Sequence, residues 1–130
     1  MVKRTKQRET AQRGFETFRV YRDPKTGKVV CDPLEVTLKP NDPNAADSVR
    51  WEVAGLGEGE RVVVKWEVAS PFLNLEAIPG KEPDAVTLVG SGNTCEAGVF
   101  KFGVYFVDEH GHAVGMDPKV FNDPTPPIGY

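Results

Sequence analysis

The stretch GVFKFGVYFVDEHGHAVGMDPKV, residues 98–120, decides the fold of this chain. Its first ten residues alternate with a period of two, and both faces are largely apolar, which predicts a β-strand in the middle of a sheet rather than a helix. The turn-forming residues 108–111 predict a hairpin into a short returning strand, which Asp117-Pro118 should end. Four large side chains are expected on the inward face of the long strand: Phe100, Phe102, Val104 and Phe106.

Working outward from this hairpin, the chain shows further segments that alternate in the same way. Turn signals rich in Gly, Pro, Asn and Asp separate them, and no window has a convincing helical period. Inward-facing side chains are expected to include Leu34 and Val36 before the middle of the chain, and Trp66 and Val68 after it. Besides residues 98–107, strands are predicted at residues 15–22, 28–31, 34–39, 48–54, 61–69 and 85–89.

Strands at roughly ten-residue spacing predict an all-β fold, a single antiparallel β-sandwich of about eight strands and Greek-key type. A chain of 130 residues forms one domain that can bury a core without a metal or a disulfide. Three parts are predicted: a flexible basic arm at residues 1–14, the sandwich at 15–121 and a flexible proline-rich tail at 122–130. Neither an apolar span of membrane length nor a secretory signal is evident, so we expect a cytoplasmic protein with Cys31 and Cys95 reduced.

Charge is distributed unevenly between the arm and the rest of the chain. Residues 1–14 hold five basic and one acidic side chain, a net charge of +4, whereas the remaining 11 basic and 18 acidic residues give -7. Such an arm can neutralise phosphates, which makes attachment to nucleic acid or to an anionic surface one hypothesis. The alternative is a solvated tail, because the acidic body repels phosphates. The arm residues proposed for a partner are Lys3, Arg4, Lys6 and Arg8.

The segment SPFLNLEAIPGKEPD, residues 70–84, breaks the regular pattern. Apolar residues are threaded among prolines there, which predicts an irregular segment. It is either a core-covering loop with a short strand or an apolar surface for a partner. The candidate partner-binding residues in this loop are Phe72, Leu73 and Leu75.

The sequence around Gly111-His112-Ala113-Val114-Gly115-Met116, after the long strand, resembles the C-terminal copper loop of cupredoxins. In that family a strand supplies a Cys, and the loop supplies a His and an axial Met, a ligand set that suits copper electron transfer. His112 and Met116 match the pattern, but Val107 stands where the Cys should be, and only His110 could replace the missing second His. The resemblance therefore implies a cupredoxin-like or immunoglobulin-like sandwich without its metal. A metal or redox site at His110, His112 and Met116 is kept as an alternative.

No set of residues for nucleophilic catalysis is found. Ser91 lies between two glycines but without the strand-to-helix turn of a nucleophile elbow, and Glu96 next to Cys95 disfavours a reactive thiolate. We therefore predict a non-enzymatic, cofactor-free protein-binding or assembly module. It would bind a protein partner or self-associate through sheet edges, through the loop at 70–84 or through its termini.

Overall fold

The computed structural model describes residues 14–126, which form two β-sheets packed face to face. The predicted all-β sandwich is confirmed, with ten strands rather than about eight. They are β1 (Phe15–Arg22), β2 (Val29–Asp32), β3 (Glu35–Leu38), β4 (Ser48–Val53), β5 (Arg61–Trp66), β6 (Phe72–Pro79), β7 (Val86–Asn93), β8 (Gly98–Val107), β9 (Ala113–Met116) and β10 (Lys119–Asn122).

The two sheets are mixed rather than purely antiparallel. The first sheet has the strand order β2-β1-β4-β7-β6, and the second has the order β3-β10-β8-β5 with β9 also paired to β8. Parallel pairing occurs between β1 and β4 and between β3 and β10, whereas all other pairs are antiparallel. The first sheet therefore ends at β6 on one side, and the second sheet ends at β5.

The core lies between the inner faces of the two sheets. Trp51 on β4 is fully buried and stacks on Phe18 of β1, while Phe102 of β8 meets both rings edge-on across the gap. The alternation seen in the sequence accounts for this arrangement, because period two places every second side chain of a strand on the same face. Buried apolar residues include Val20, Val49, Val53, Leu38, Val104, Phe106 and Val120.

Gly103 interrupts the apolar outer pattern of β8 because an aromatic ring lies over it. A side chain at Gly103 would collide with the ring of Tyr105, and one at Gly115 would collide with the same ring and with the main-chain carbonyl of Val104. Tyr105 therefore covers glycines on two neighbouring strands, β8 and β9.

Both Asp-Pro pairs lie at strand ends, and pairing resumes beyond each of them: β9 ends at Met116, as predicted from Asp117-Pro118, and β2 ends at Asp32. The chain pairs with β1 up to Asp32, passes through a cis peptide bond to Pro33, and then pairs with β10 in the opposite sheet from Glu35 onward. At Asp117-Pro118 the ladder continues, since the N–H of Phe102 donates to the carbonyl of Pro118 at 3.1 Å. Strands β9 and β10 therefore form one interrupted partner of β8.

Strand directions place the connections at two ends, which we call the turn end and the base. The turn end holds residues 23–28, 54–60, 80–85 and 108–112, and the base holds 39–47, 67–71 and 94–97. At the turn end Arg22 and Glu60 form a bidentate ion pair, with both N–O distances 2.9 Å.

Two side chains predicted to face inward are exposed instead. Val68 lies beyond the end of β5, on the connection that crosses from one sheet to the other, and Leu34 lies in the passage between β2 and β3. In both places the alternation of apolar and polar residues in the sequence extends past the end of the observed strand. Within residues 14–126 there is no helix whose length and apolar character would let it cross a bilayer.

Candidate functional site

The most distinctive surface of the protein is the open side of the sandwich, formed by the edge strands β5 and β6 and the connection 67–71 between them. Residues 70–84 are more regular than predicted, because Phe72–Pro79 forms the eight-residue strand β6 where a loop with only a short strand was expected. Strand β6 pairs with β7 along one edge, and no strand of the described region pairs with its other edge. Every residue of β6 after Phe72 is exposed.

The hydrogen-bonding pattern shows which main-chain groups of β6 face the open edge. In an antiparallel pair, residues alternate between those that bond to the neighbouring strand and those that do not. The bond from the Gly80 N–H to the carbonyl of Ala85 sets this alternation, so Asn74, Glu76 and Ile78 direct their main-chain groups toward β7. The main-chain groups of Leu75 and Ala77 consequently face the open edge. The alternation changes at the start of the strand, where the N–H of Thr94 donates to the carbonyl of Pro71 and no pair forms at Leu73.

Proline positions are compatible with this edge strand. Pro79 lies two residues after Ala77, so its nitrogen also faces the open edge. Because that nitrogen carries no hydrogen, no bond to β7 is lost. Pro71 stands just before the strand and still accepts a hydrogen bond from the N–H of Thr94 at 2.8 Å. Prolines therefore bracket β6 without interrupting it.

The three residues predicted to bind a partner in this segment fall into two environments. Phe72 is buried, its ring lies 6.0 Å from that of Trp66, and it occupies the space next to Gly90. Leu73 and Leu75 are 77% and 54% exposed. Phe72 thus anchors the strand to the core, while Leu73 and Leu75 are presented to solvent.

A small cavity of about 170 Å³ opens between the two edge strands. Strand β5 contributes Val64 and Trp66, which are only partly buried because no strand continues the second sheet beyond them. Trp51 closes the cavity toward the core. Strand β6 contributes Phe72, Leu73, Asn74 and Leu75, and Ser70 and Gly90 complete the lining.

Trp51 brings an unsatisfied donor to this region. Its indole nitrogen is buried and has no hydrogen-bond partner among the described residues. Burying an N–H without an acceptor costs free energy, typically about 1–3 kcal/mol.

A second, larger cavity of about 420 Å³ lies on the other side of the connection 67–71, at the base. It forms where β5 separates from β8, after the N–H of Glu67 has donated to the carbonyl of Lys101 at 2.9 Å. Its walls come mostly from connections rather than from strands, and three charged residues border it. The lining residues are Glu67, Val68, Ala69, Glu96, Ala97, Gly98, Val99, Phe100 and Lys101.

The residues named for a metal site are spread over the β8–β9 hairpin. Asp108 accepts hydrogen bonds from the N–H groups of His110 and His112, each at 2.9 Å, and its carboxylate lies 3.2 Å from Nδ1 of His112. The bond from the His112 main chain is the main reason that the pKa of Asp108 is lowered. Met116 packs against the core at the far end of β9. Asp108 therefore shapes the turn and orients His112.

Within residues 14–126 no three His, Cys, Asp or Glu side chains are grouped closely enough to hold a metal ion. The two cysteines are unpaired: Cys31 is buried, and burial raises its pKa to about 12. Cys95 is exposed at the base, whereas the histidines lie at the turn end. The ten-residue strand β8 separates these ends by about 30 Å, which keeps Cys95 and the histidines from acting together.

Lys3, Arg4, Lys6 and Arg8, the proposed partner-binding residues of the basic arm, lie outside the described residues. The same holds for the end of the proline-rich tail. The candidate site that the structure can describe is therefore the open side of the sandwich.

Fold and site together define a β-sandwich with one exposed, apolar edge strand. No protein-family model matches the sequence, and no curated protein matches it. Among solved structures, the chain is similar to the crystal structure of the cysteine protease inhibitor EhICP2 from Entamoeba histolytica, with a TM-score of 0.49 and 7% identity. The match covers 83% of this chain and 96% of that chain. At this level the likeness carries no inference about function, and the resemblance to cupredoxins finds no support.

Proposed function

We propose that this chain is a non-enzymatic protein-binding module that takes up an extended segment of a partner along the open edge of β6. The observation that carries this proposal is the exposure of an eight-residue apolar strand at the edge of the first sheet. Unpaired main-chain groups on such an edge form a template for another strand. Partner recognition by strand addition uses this chemistry.

The two sources of binding energy lie side by side at this edge. Main-chain groups of Leu75 and Ala77 supply hydrogen bonds that are independent of sequence. Leu75 and the cavity beside it supply apolar contacts that select the partner's side chains. Leu75 is 54% exposed, so burying the rest of its side chain contributes about 1 kcal/mol.

Few of the usual protections of an edge strand are present in β6. Natural edges are commonly short, bulged or rich in Lys and Pro. In β6 the single charge is Glu76, and the single proline is at its last residue, Pro79. An accessible edge of this kind is expected where binding is the purpose of the surface.

The proposal is tested by capture of proteins from a native extract on immobilised chain at low surface density. Leu75→Lys places a charge on the open edge, and Leu34→Lys is the matched control, because Leu34 is 53% exposed and lies outside β5 and β6. Proteins retained by the wild type and by Leu34→Lys, and lost with Leu75→Lys, support the proposal. If all three forms retain the same proteins, the open edge is not the binding surface.

The same capture with a chain lacking residues 1–14 tests the role of the basic arm. Binding by strand addition to β6 does not involve the arm, so the retained proteins should be the same at physiological salt. Loss of every partner with the arm, and no loss with Leu75→Lys, would make the arm the functional element.

A further inference from the structure

The two sheets do not end at the same place on the open side of the sandwich. Trp51 of β4 meets Phe102 of β8 across the gap, so these two strands lie opposite each other. Beyond them the first sheet continues with β7 and β6, whereas the second continues with β5 alone. Strand β6 therefore extends past the last strand of the second sheet, and a strand added to β5 would lie opposite it.

The inner face of β6 is left uncovered by this arrangement. Ala77 pairs with Leu88 of β7, and directly opposite residues of a strand pair share one face of the sheet. Leu88 is buried in the core, so Ala77 and Leu75, two residues earlier, belong to the inner face. Leu75 is nevertheless 54% exposed, and its side chain lines the cavity between β5 and β6 together with that of Val64.

Two hydrogen bonds show which main-chain groups of β5 face away from its sheet. The N–H of Glu67 donates to the carbonyl of Lys101, which turns the odd-numbered residues of β5 toward β8. The N–H of Phe102 donates to the carbonyl of Pro118 on the other side of β8, in agreement with this alternation. The residues whose main-chain groups face the open edge of β5 are Val62, Val64 and Trp66.

We infer that the open edge of β5 binds an extended segment of a partner protein in which apolar and acidic residues alternate. The bound segment continues the second sheet and covers the inner face of β6. Stacked sheets lie about 10 Å apart, so one segment cannot pair with β5 and with β6 at the same time. The edge of β5 is therefore a second docking position, on the other sheet from the edge in the proposed function.

Apolar side chains are selected on the inner side of the bound segment. They meet Val64 and Trp66, which are partly buried, and Leu75 from the side of β6. The cavity between these residues measures about 170 Å³. An apolar cavity of about 150 Å³ holds a benzene molecule, so a side chain of the size of leucine or phenylalanine suits the central inner position.

Acidic side chains are selected on the outer side of the bound segment. Arg61 and Lys65 are odd-numbered residues of β5 and lie on the outer face of the second sheet, where both are exposed. Within residues 14–126 neither forms an ion pair. Glu60 is bound to Arg22, and Glu67 follows the last residue of β5. Opposite charges in facing positions stabilise a strand pair.

Charge also separates this partner from the chain's own basic arm. Residues 1–14 have a net charge of +4 and would bring cations next to Arg61 and Lys65. Like charges in directly opposite positions destabilise a strand pair. The segment that suits the edge of β5 is therefore an acidic one rather than this arm.

The first test is the binding of capped synthetic peptides of about eight residues, enough to span β5, to the full chain. One peptide alternates valine with glutamate and has leucine at the centre. A second has lysine in place of glutamate, and a third has the residues of the first in an order without alternation. The first should bind with a Kd below about 1 mM, and roughly tenfold more tightly than the others. Absence of this binding, or equal binding of all three, overturns the inference.

Amide hydrogen exchange with the glutamate peptide shows where it binds. The even-numbered residues of β5 should exchange more slowly, while the odd-numbered ones, whose amides face β8, should change little. The fluorescence of Trp66 should shift to shorter wavelength as the peptide covers its ring. Protection of Leu75 and Ala77 without any change in β5 would place the peptide on β6 and overturn the inference.

Reversal of charge tests the outer contact in folded protein. Lys65→Glu and Arg61→Glu should each weaken binding of the glutamate peptide roughly tenfold. Each should also strengthen binding of the lysine peptide, which a misfolded variant would not do. Lys28→Glu is the matched control, because Lys28 is exposed and lies outside β5, and it should leave both affinities unchanged. If Lys65→Glu and Arg61→Glu alter neither affinity, the inference is wrong.

This inference and the proposed function fail separately, because Arg61 and Lys65 lie on the outer face of the second sheet, away from β6. Absence of peptide binding, with captured proteins still lost in Leu75→Lys, overturns the second docking position and leaves the proposed function intact. Peptide binding that depends on Lys65, with the same proteins captured by the wild type and by Leu75→Lys, supports the second position and overturns binding along β6.

Discussion

Asn93 and Asn122 exchange two side-chain hydrogen bonds, at 2.8 and 2.9 Å, across the gap between the two sheets. Asn93 ends β7 in the first sheet, and Asn122 ends β10 in the second. Each amide also donates to a main-chain carbonyl, Asn93 to Asp47 and Asn122 to Glu96. This pair joins both sheets and two connections at the base, and Asn122 is the most deeply buried polar side chain of the described region.

Asn122→Ala should destabilise the protein by about 2–4 kcal/mol, because Asn93 loses its two bonds with Asn122 and the carbonyl of Glu96 loses its side-chain donor. Urea unfolding followed by tryptophan fluorescence measures the change. A double-mutant cycle with Asn93→Ala should give a coupling of about 1 kcal/mol or more. The exposed Asn74→Ala is the control and should change little, and additive effects at Asn93 and Asn122 would contradict the pairing.

The ion pair of Arg22 with Glu60 makes stability depend on pH. The hydrogen bonds from Arg22, and then that from the N–H of Gly57, lower the pKa of Glu60 in the folded state. A carboxyl group with a lowered pKa contributes stability above its unfolded pKa, about 4.3, and loses it as the pH falls through the folded pKa.

Glu60→Gln should therefore lower the free energy of unfolding by about 1 kcal/mol at pH 7, a value reduced because the pair is partly exposed. The difference in stability between the variant and the wild type should shrink below about pH 4. Urea midpoints of both proteins between pH 7 and pH 3 provide the measurement. The exposed Glu76→Gln serves as the control. A difference that stays constant across this range would argue against a contribution from the charge of Glu60.

Two glycines under the ring of Tyr105 should respond differently to alanine. At Gly115 the added methyl group collides with the main-chain carbonyl of Val104, which cannot move without disturbing the ladder between β8 and β9. At Gly103 the collision is with the ring of Tyr105, which can swing outward.

We expect Gly115→Ala to lower the free energy of unfolding by about 2–3 kcal/mol, and Gly103→Ala by clearly less. Thermal and urea unfolding of the two variants test this order. Gly111→Ala would be a poor control, since Gly111 has a φ of 86° and is strained by any side chain. If Gly103→Ala were the more harmful change, the ring of Tyr105 would be held more firmly than its surface position suggests.

The two thiols should react at very different rates. Cys95 is exposed, whereas Cys31 is buried and its pKa is raised to about 12, so thiolate is scarce at Cys31 at neutral pH. Titration with an aromatic disulfide reagent should label one thiol in the native protein and two in denaturant. Cys95→Ser should abolish the native reaction, and rapid labelling of Cys31 would show that this part of the core opens readily.

Strands that are buried on one face could be predicted from the sequence. In β1 and β4 the alternation of apolar and polar residues follows directly from the burial of one face, and the predicted bounds are close to the observed ones. Strand β8 was predicted instead from its apolar residues on both faces. The length of strand β6 was underestimated because its residues after Phe72 are exposed on both faces, so no alternation is imposed on them. Its flanking prolines also favoured a loop until the direction of their missing N–H groups was known.

The candidate site was only partly predictable for the same reason. Leu73 and Leu75 stood out as apolar residues in a segment rich in proline, but an exposed edge is a property of strand order, which the sequence does not report. Trp66 was expected in the core, and its partial exposure arises because β5 is the last strand of the second sheet. Strand β10 was overlooked because Asp117-Pro118 was interpreted as the end of the hairpin.

The passage of the chain from β2 to β3 has a mechanical consequence for the whole sandwich. Because one nearly continuous segment pairs with β1 in the first sheet and with β10 in the second, it acts as a clasp that spans both layers. Neither layer can slide or peel away without breaking hydrogen bonds in the other. Both sheets should therefore unfold together in a single cooperative transition, even though the edge strand β6 is the part most accessible to other chains.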